Sequence, residues 1–212
     1  MLTLIAREIR DNIVSMVMVC LGSAIGIALA IVFAFSAFRE SLAIRASFLI
    51  PTGMVLPVLL LAFGGLGASQ AYGDRANRIS SLLATLGVTR NRIFAARVLA
   101  GLLVILVALV PLVVTTIVLL GVFMPPLEFY GRMVVEMSLT VVLAAVVCYS
   151  AGLLVGWTTN KSWLLTGSLL LLLFPASLVV IKGFGPEVMA VLLLFIGATL
   201  WYAWHTFTSA SL

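Results

Sequence analysis

Six long apolar runs limit what this chain can fold into more than any other feature. They span approximately Ile13–Phe38, Phe48–Tyr72, Ile93–Phe123, Met133–Trp157, Trp163–Ile181 and Val188–Trp204. Each is long enough to cross a hydrocarbon layer of about 30 Å as a helix, and none has a charged residue at its centre. Of the 212 residues, 64% are hydrophobic and 9% are charged, whereas about a quarter of a soluble domain is charged. The sequence therefore predicts an all-α integral membrane protein with six transmembrane helices in a single domain, 1–212.

Prolines and glycines fall inside several of these runs. Pro57, Pro111 and Pro175 each remove a backbone donor, which predicts kinked or partly broken helices. The run Gly64-Gly65-Leu66-Gly67 predicts a further soft point near the end of the second span.

The one long polar interval, Tyr72–Arg97, contains five of the twelve Lys and Arg residues. Within it, Ile79, Leu82, Leu83 and Leu86 recur at i, i+3, i+4 and i+7, the spacing of one apolar stripe on a helix. The segment 73–92 is therefore predicted to contain a cytoplasmic amphipathic helix that ends at Gly87. A solvated basic loop that only enforces topology is the simpler alternative, since the positive-inside rule alone explains its arginines.

The first residues, 1–12, predict a short interfacial helix that leads into the first span. Leu2, Ile5 and Ile9 lie on one side of this helix. Its polar face carries Arg7, Glu8 and Arg10. A signal peptide is the competing interpretation, but the apolar run that follows is about twice the length of a signal core.

The connecting segments predict the orientation. A cytoplasmic N-terminus places eight basic residues inside and four outside, the inner set being Arg7, Arg10, Arg75, Arg78, Arg90, Arg92, Arg97 and Lys161. The positive-inside rule then favours both termini in the cytoplasm. The outer connections are too short for an external receptor or enzyme domain, and the turn at 182–187 is rich in Gly and Pro.

Catalytic and ligand-binding motifs are absent from the sequence. It has no H-E-x-x-H, no G-x-S-x-G, no complete phosphate-binding loop, and one histidine, His205. Cys20 and Cys148 lie far apart inside apolar spans, which favours packing over a disulfide or a metal site. We therefore expect no enzymatic activity, no cofactor or metal in this chain, and no nucleic-acid partner.

Two local patterns predict contacts rather than chemistry. Arg132 and Glu136 are spaced i,i+4, which favours an interfacial ion pair over a proton or substrate relay. Small residues recur at Gly22, Gly26 and Ala30 in the first span, and at Cys148, Gly152 and Gly156 in the fourth. Such stripes allow close helix contact. Both stripes are consistent with packing within the chain. For the first stripe, contact with a second subunit is also open.

One local motif carries a family resemblance. Ser81-Leu-Leu-Ala-Thr-Leu-Gly-Val-Thr-Arg90 is followed by Arg92-Ile-Phe-Ala-Ala-Arg97-Val-Leu-Ala-Gly101. Together with the order of the predicted helices, this stretch resembles the permease subunits of ABC transporters in the type-2 exporter class. Those permeases typically have a leucine-rich helix, a Pro-(Val/Leu)-(Ser/Thr)-Arg turn and a basic residue that opens the third span. Val88, Thr89 and Arg90 match the turn, whereas Gly87 stands in the proline position.

The resemblance implies that residues 1–12 form the elbow helix and that 73–92 form the coupling helix, which docks on a separate ABC ATPase subunit. The residues that it assigns to this contact are Arg75, Arg78, Leu82, Leu83, Leu86, Gly87, Val88, Thr89, Arg90 and Arg92. ATP and Mg would then be bound by that partner, and a second permease subunit would complete a homodimer or heterodimer. The resemblance also implies a prokaryotic cytoplasmic (inner) membrane. Small size suits the haem-exporter B subunit of cytochrome c maturation, while drug, peptide-antibiotic and glycolipid exporters remain open.

Two other functions fit the same pattern. The chain could be a non-transporting membrane anchor that recruits a cytoplasmic partner through its basic segment. An ion-coupled secondary transporter is the third hypothesis, and it is disfavoured because ionisable residues are nearly absent from the predicted spans. The sequence leaves the cargo and the direction of transport open.

Overall fold

The computed structural model describes residues 2–37, 49–77, 89–123, 127–157, 177 and 182–209. The helices whose bounds it gives are α1 (Leu2–Asp11), α2 (Ile13–Ala37), α3 (Leu49–Asn77), α4 (Arg90–Phe123), α5 (Leu127–Gly156) and α6 (Pro186–Ser209). These described parts contain no strand, so the prediction of an all-α chain is confirmed for them.

Five described segments are long and apolar enough to cross a membrane, by length and composition. They are Ile13–Val32, Val55–Gly73, Arg90–Val122, Gly131–Gly156 and Pro186–Ser209. Several long apolar helices are the property expected of an integral membrane protein. The predicted span 163–181 and residues 78–88 of the predicted coupling segment lie outside the described residues.

The helices extend beyond the apolar runs that predicted them. Helix α3 continues past Tyr72 to Asn77, and α4 begins at Arg90 rather than at Ile93. Thr89 is the N-cap residue of α4, because its carbonyl accepts hydrogen bonds from the amides of Arg92 and Ile93 at 3.0 and 3.3 Å. Both ends of the predicted 73–92 segment therefore belong to α3 and α4. Hydropathy marks where side chains stop being apolar, whereas a helix ends where its backbone hydrogen bonds end.

The described helices are not broken at the prolines and glycines where a kink or a break was predicted; kinks stay a prediction, and Pro175 lies outside the described residues. Helix α3 runs without interruption through Pro57 and through the glycine-rich run 64–67, and α4 runs through Pro111. Prolines are tolerated inside membrane helices where neighbouring groups satisfy the freed backbone carbonyls.

Helices α3 and α5 make the most extensive contact among the described helices. A Cβ added at Gly152 would collide with the carbonyl group of Gly64, and one added at Gly156 would lie 2.6 Å from Ala71 Cβ. The two main chains therefore touch directly, as glycine allows. Because both residue numbers rise together along the contact, α3 and α5 run parallel. Intramolecular packing thus accounts for the small-residue stripe that ends at Gly156.

Helix α2 packs against both α3 and α4 through the stripe Gly22, Gly26 and Ala30. A Cβ at Gly26 would lie 2.8 Å from Val55 Cγ1 of α3 and 3.5 Å from Leu112 Cδ1 of α4. Ala30 is 2% exposed. The stripe faces the interior of this chain, so the surface that α2 offers to lipid or to another subunit is its opposite face.

Helix α6 lies along α5 and runs in the same direction. Val147 of α5 packs in one cluster with Leu192 of α6. Ten residues further along the chain, Trp157 directly follows the end of α5, and its ring centroid lies 5.3 Å from that of Phe207. The end of α5 and the beginning of α6 therefore lie at opposite ends of the bundle.

The outward faces of the long helices carry large apolar side chains. Val14 of α2 and Leu194 of α6 are 74% and 76% exposed. Others of the same kind are Met18, Ile25, Val32, Leu103, Val107, Val118, Val135 and Leu193. Soluble proteins rarely expose so continuous an apolar surface, and it fits contact with lipid chains.

Candidate functional site

The start of α4 and the ends of α3, α5 and α6 lie at the same end of the bundle. We call it the convergent end and define it by five residues: Leu4, Gln70, Ile93, Tyr149 and Phe207. Ile93 at the beginning of α4 and Phe207 at the end of α6 are buried together, and Leu4 of α1 packs against them. Gln70 and Tyr149 lie in the last turns of α3 and α5. This is the end at which α3 leaves the bundle towards residues 78–88 and α4 returns from them.

A buried polar cluster ties three helices together there. The hydroxyl of Tyr149 on α5 lies 2.7 Å from Gln70 Oε1 on α3 and 3.1 Å from the carbonyl oxygen of Arg97 on α4. Because a hydroxyl carries one proton, that proton is shared between the two acceptors. The exposed fractions of Tyr149 and Gln70 are 1% and 2%. In an interior this apolar, such a bond cannot be replaced by one to bulk water, so it fixes the relative position of the helices.

The ring of Tyr149 occupies a notch at Gly101. A Cβ added at Gly101 would overlap the Cζ, Cε2 and hydroxyl oxygen of Tyr149. Only glycine leaves room for the phenol ring to reach α4 at this level. The glycine thus positions the hydroxyl beside the Arg97 carbonyl, one turn earlier on the same helix.

Arg97 is buried, with 2% of its surface exposed, although the sequence counted it among the cytoplasmic charges. Its guanidinium Cζ lies 6.0 Å from the centroid of the Phe207 ring, at the limit of a cation–π contact. Helix α4 begins at Arg90, so Arg97 lies about two turns inside the helix, on its inward face. Arg97 therefore lies within the helix bundle and not in the segment that connects α3 to α4.

The first turn of α4 is fastened to the last turn of α6. Arg90 Nη1 donates a hydrogen bond of 3.0 Å to the carbonyl of Thr208, and Trp204 Nε1 donates one of 3.1 Å to Asn91 Oδ1. A cation beside the last carbonyls of a helix is favoured by their partial negative charge. Arg90, predicted to contact a partner, therefore also anchors α4 within the chain.

The predicted coupling residues are only partly described. Arg92 is exposed, Arg90 is half-buried, and Thr89 caps α4. Arg75 belongs to α3, with its side chain outside the described set. The remaining predicted residues lie outside the described ranges: Arg78, Leu82, Leu83, Leu86, Gly87 and Val88.

The N-terminal segment forms helix α1, as predicted for 1–12, and it packs mainly against α4. Arg7 Nε lies 3.5 Å from Asp11 Oδ2, and both side chains are about half exposed. Arg10 is exposed, and the side chain of Glu8 is outside the described set. Helix α1 thus packs at the convergent end through its apolar face, which carries Leu4.

Charged pairs occupy the opposite end. The pair predicted from spacing is present, with Arg132 Nε 3.0 Å from Glu136 Oε1. In the turn before α6, Gly183 has a φ of 75°, a backbone conformation that favours glycine. There Lys182 Nζ lies 2.9 Å from Glu187 Oε2. This hydrogen bond, helped by the charge of Glu187, raises the pKa of Lys182 above 10.5.

Sequence reasoning missed four of the polar side chains that join helices in the interior: Gln70, Tyr149, Ser150 and Thr199. Thr199 Oγ1 lies 2.9 Å from Ser150 Oγ, which links α6 to α5 inside the bundle. The available signal was a polar residue within an apolar run, such as Gln70. That signal marks a residue that needs a partner, but it does not say which helix supplies it.

Comparisons with known proteins add no relative: no protein-family model and no curated protein matches the chain. Among the described residues, no group of three His, Cys, Asp or Glu is arranged to hold a metal ion. The candidate site is therefore defined by its geometry alone, as a hydrogen-bonded joint beside the exit and return of the chain at residues 77 and 89.

Proposed function

We propose that this chain is the membrane-spanning permease subunit of an ATP-driven ABC exporter. It would form the translocation path with a second permease subunit and be driven by a separate ATPase subunit that binds ATP and Mg. The resemblance of residues 81–101 to such permeases supports this function. So does one structural observation, the anchoring of both flanks of residues 78–88 at the convergent end.

That observation carries the proposal because a coupling helix works only as a lever fixed to the spans. On one flank, Gln70 of α3 is tied to Tyr149 of α5. On the other, Arg90 and Asn91 of α4 are tied to the last turn of α6. A push on residues 78–88 by a partner would therefore act on α3 and α4 directly and on α5 and α6 through these bonds.

We further propose six spans, with residues 163–181 as the fifth. The parallel directions of α5 and α6 support this, because the connection from Gly156 to Pro186 has to return along the length of the bundle. Helix α6 has 24 residues, which is about 36 Å at 1.5 Å per residue. The predicted run 163–181 has the apolar character needed to cover such a distance inside a membrane.

We place both termini in the cytoplasm and assign α1 as the elbow helix. Leu4 and Phe207 pack at the same end of the bundle, which supports a common side for the two termini. The excess of basic residues predicted on that side supports the cytoplasm. The resemblance to ABC permeases supports the inner membrane of a prokaryote.

The first test is purification of the tagged full-length chain in mild detergent from its own membrane, followed by mass spectrometry of what accompanies it. We expect a soluble subunit with the pattern G-x-x-x-x-G-K-[ST] in fixed ratio to this chain. Reproducible purification without such a subunit would refute the exporter and leave the membrane-anchor hypothesis in its place.

Charge reversal then separates coupling from anchoring. Arg92→Glu changes an exposed residue beside the proposed lever, and Arg132→Glu is the control at the opposite end, where the side chain is 88% exposed. We expect Arg92→Glu, but not Arg132→Glu, to reduce ATP hydrolysis stimulated by the permease. Loss of partner binding with hydrolysis per bound subunit unchanged would support a plain anchor.

A further inference from the structure

Tyr149 connects the two helices that flank residues 78–88, although it belongs to neither of them. Its hydroxyl is within hydrogen-bond distance of Gln70 on α3 and of the Arg97 carbonyl on α4. We propose that Tyr149 is a positioning residue, whose hydroxyl holds the end of α3 and the beginning of α4 in fixed relation to α5. Movement of the connecting segment then reaches α5. This inference rests on the proposed function, since it names the joint through which the lever acts.

The position of the hydroxyl is set by packing and not by the hydrogen bonds alone. Tyr149 is 1% exposed and its ring fills the notch at Gly101. The ring also belongs to the main buried cluster, with Leu66 and Leu153 on the two parallel helices. The hydroxyl cannot leave its two acceptors unless the ring moves out of this notch.

Of the two bonds within reach of the hydroxyl, the one to Gln70 is made to α3. The amide nitrogen Nε2 of Gln70 is buried and has no hydrogen-bond partner among the described residues, so the described bond of this side chain is made by Oε1 to Tyr149. Without the hydroxyl, both polar atoms of the buried amide would lack a described partner. A buried amide in that state turns towards water when it can. The last turns of α3 would loosen with it.

Two independent substitutions remove the joint. Tyr149→Phe keeps the ring and deletes the hydroxyl, whereas Gly101→Ala keeps the hydroxyl and pushes the ring out of its notch. Because both act on the same bonds, their effects should not add in the double variant. Gly197→Ala is the matched control, since an added Cβ there has nothing within 4 Å.

The joint itself is measured by amide hydrogen exchange of the purified complex. In Tyr149→Phe we expect exchange in residues 71–77 and 92–96 to accelerate about tenfold, which corresponds to about 1.4 kcal/mol. Gly101→Ala should accelerate the same residues, and Gly197→Ala should not. Unchanged exchange at both flanks in Tyr149→Phe would overturn the joint.

The positioning role is separated from simple stability by the pair Gln70→Leu with Tyr149→Phe. Replacing both partners by apolar groups removes the unpaired amide and should restore thermal stability. The positioning role requires that permease-stimulated ATP hydrolysis stay low in this double variant, with the ATPase subunit still bound. Recovery of stimulated hydrolysis together with stability would overturn that role.

A failure of the exporter proposal can be distinguished from a failure of the Tyr149 proposal. If no ATPase subunit accompanies the wild-type chain, the coupling role of Tyr149 falls together with the exporter. The exchange measurement needs no partner, so it still decides whether Tyr149 holds the ends of α3 and α4 together.

Discussion

Replacing Gly152 by alanine tests the direct main-chain contact between α3 and α5. The added Cβ would overlap the carbonyl oxygen of Gly64, lie 2.8 Å from its carbonyl carbon and lie 3.1 Å from the amide nitrogen of Ala68. All three atoms belong to backbone, which cannot turn aside as a flexible side chain can. The two helices must separate locally by about 1 Å or more to make room, because the carbonyl oxygen is the atom that the Cβ overlaps most and ordinary contacts of carbon are more than about 3 Å.

The expected magnitude follows from the packing that this separation loses. A gap of about 1 Å removes about half of the attraction of each atom pair, worth about 0.1–0.2 kcal/mol when intact. With the strain of overpacking, a cost of about 3 kcal/mol is expected. The higher helix propensity of alanine offsets about 1 kcal/mol of this destabilisation. The net loss of about 2 kcal/mol should lower Tm by about 4–8 °C in a chain of this size.

The assay is thermal unfolding in detergent, followed by tryptophan fluorescence. Gly65→Ala is the control on α3, because an added Cβ there has nothing within 4 Å. It gains helix propensity without a clash and should raise Tm by about 2–4 °C. If Gly152→Ala proved as stable as Gly65→Ala, α3 and α5 would not be in main-chain contact, and the parallel packing of these two helices would be wrong.

Two further predictions concern bonds between polar side chains. Thr199→Val keeps the shape of the side chain and removes its bond to Ser150, so the free energy of unfolding in detergent should fall by about 0.6–1.7 kcal/mol; a Tm equal to that of the wild type would contradict a bond inside the bundle. Lys182→Gln removes the exposed ion pair with Glu187. Pairing raises the pKa of Lys182 and lowers that of Glu187, so any stabilisation by this pair is complete between pH 4.5 and pH 10.5. It is lost as the amine deprotonates above this window and as the carboxylate is protonated below it. The Tm difference between wild type and variant should therefore be small at neutral pH and vanish in strong alkali and in strong acid, and a difference that grows from neutral pH into alkali would contradict this sign.

Short-range features of the fold could be read directly from the sequence. The pair Arg132 and Glu136 was predictable because residues four apart lie on the same face of one helix, whatever surrounds it. Helix α1 was predictable for the same reason, since its apolar and charged residues separate within three turns. The helix ends were less accurate, because the apolar run marks the hydrocarbon layer and not the end of hydrogen bonding.

The candidate site could not be predicted in the same way. Gln70 and Tyr149 are 79 positions apart, and nothing in their local sequence pairs them. The coupling segment 73–92 was predicted from its own leucine stripe and arginines, but its middle, 78–88, lies outside the described residues. The residues that fasten its flanks to the bundle came from the structure.

The sequence by itself determined that this chain is built of membrane-length apolar helices, because the length of an apolar run is compared with a fixed bilayer thickness. Only the tertiary structure decided which face of each helix points inwards. A helix that is apolar all round has no stripe to mark its buried side. The face that such a helix turns inwards is the one that can pack closely against its neighbours. In this bundle the close contacts are Gly152 against Gly64, Gly26 against Val55, and Gly101 against the ring of Tyr149. The contact at Gly101 brings the Tyr149 hydroxyl to the Arg97 carbonyl and so completes the polar joint.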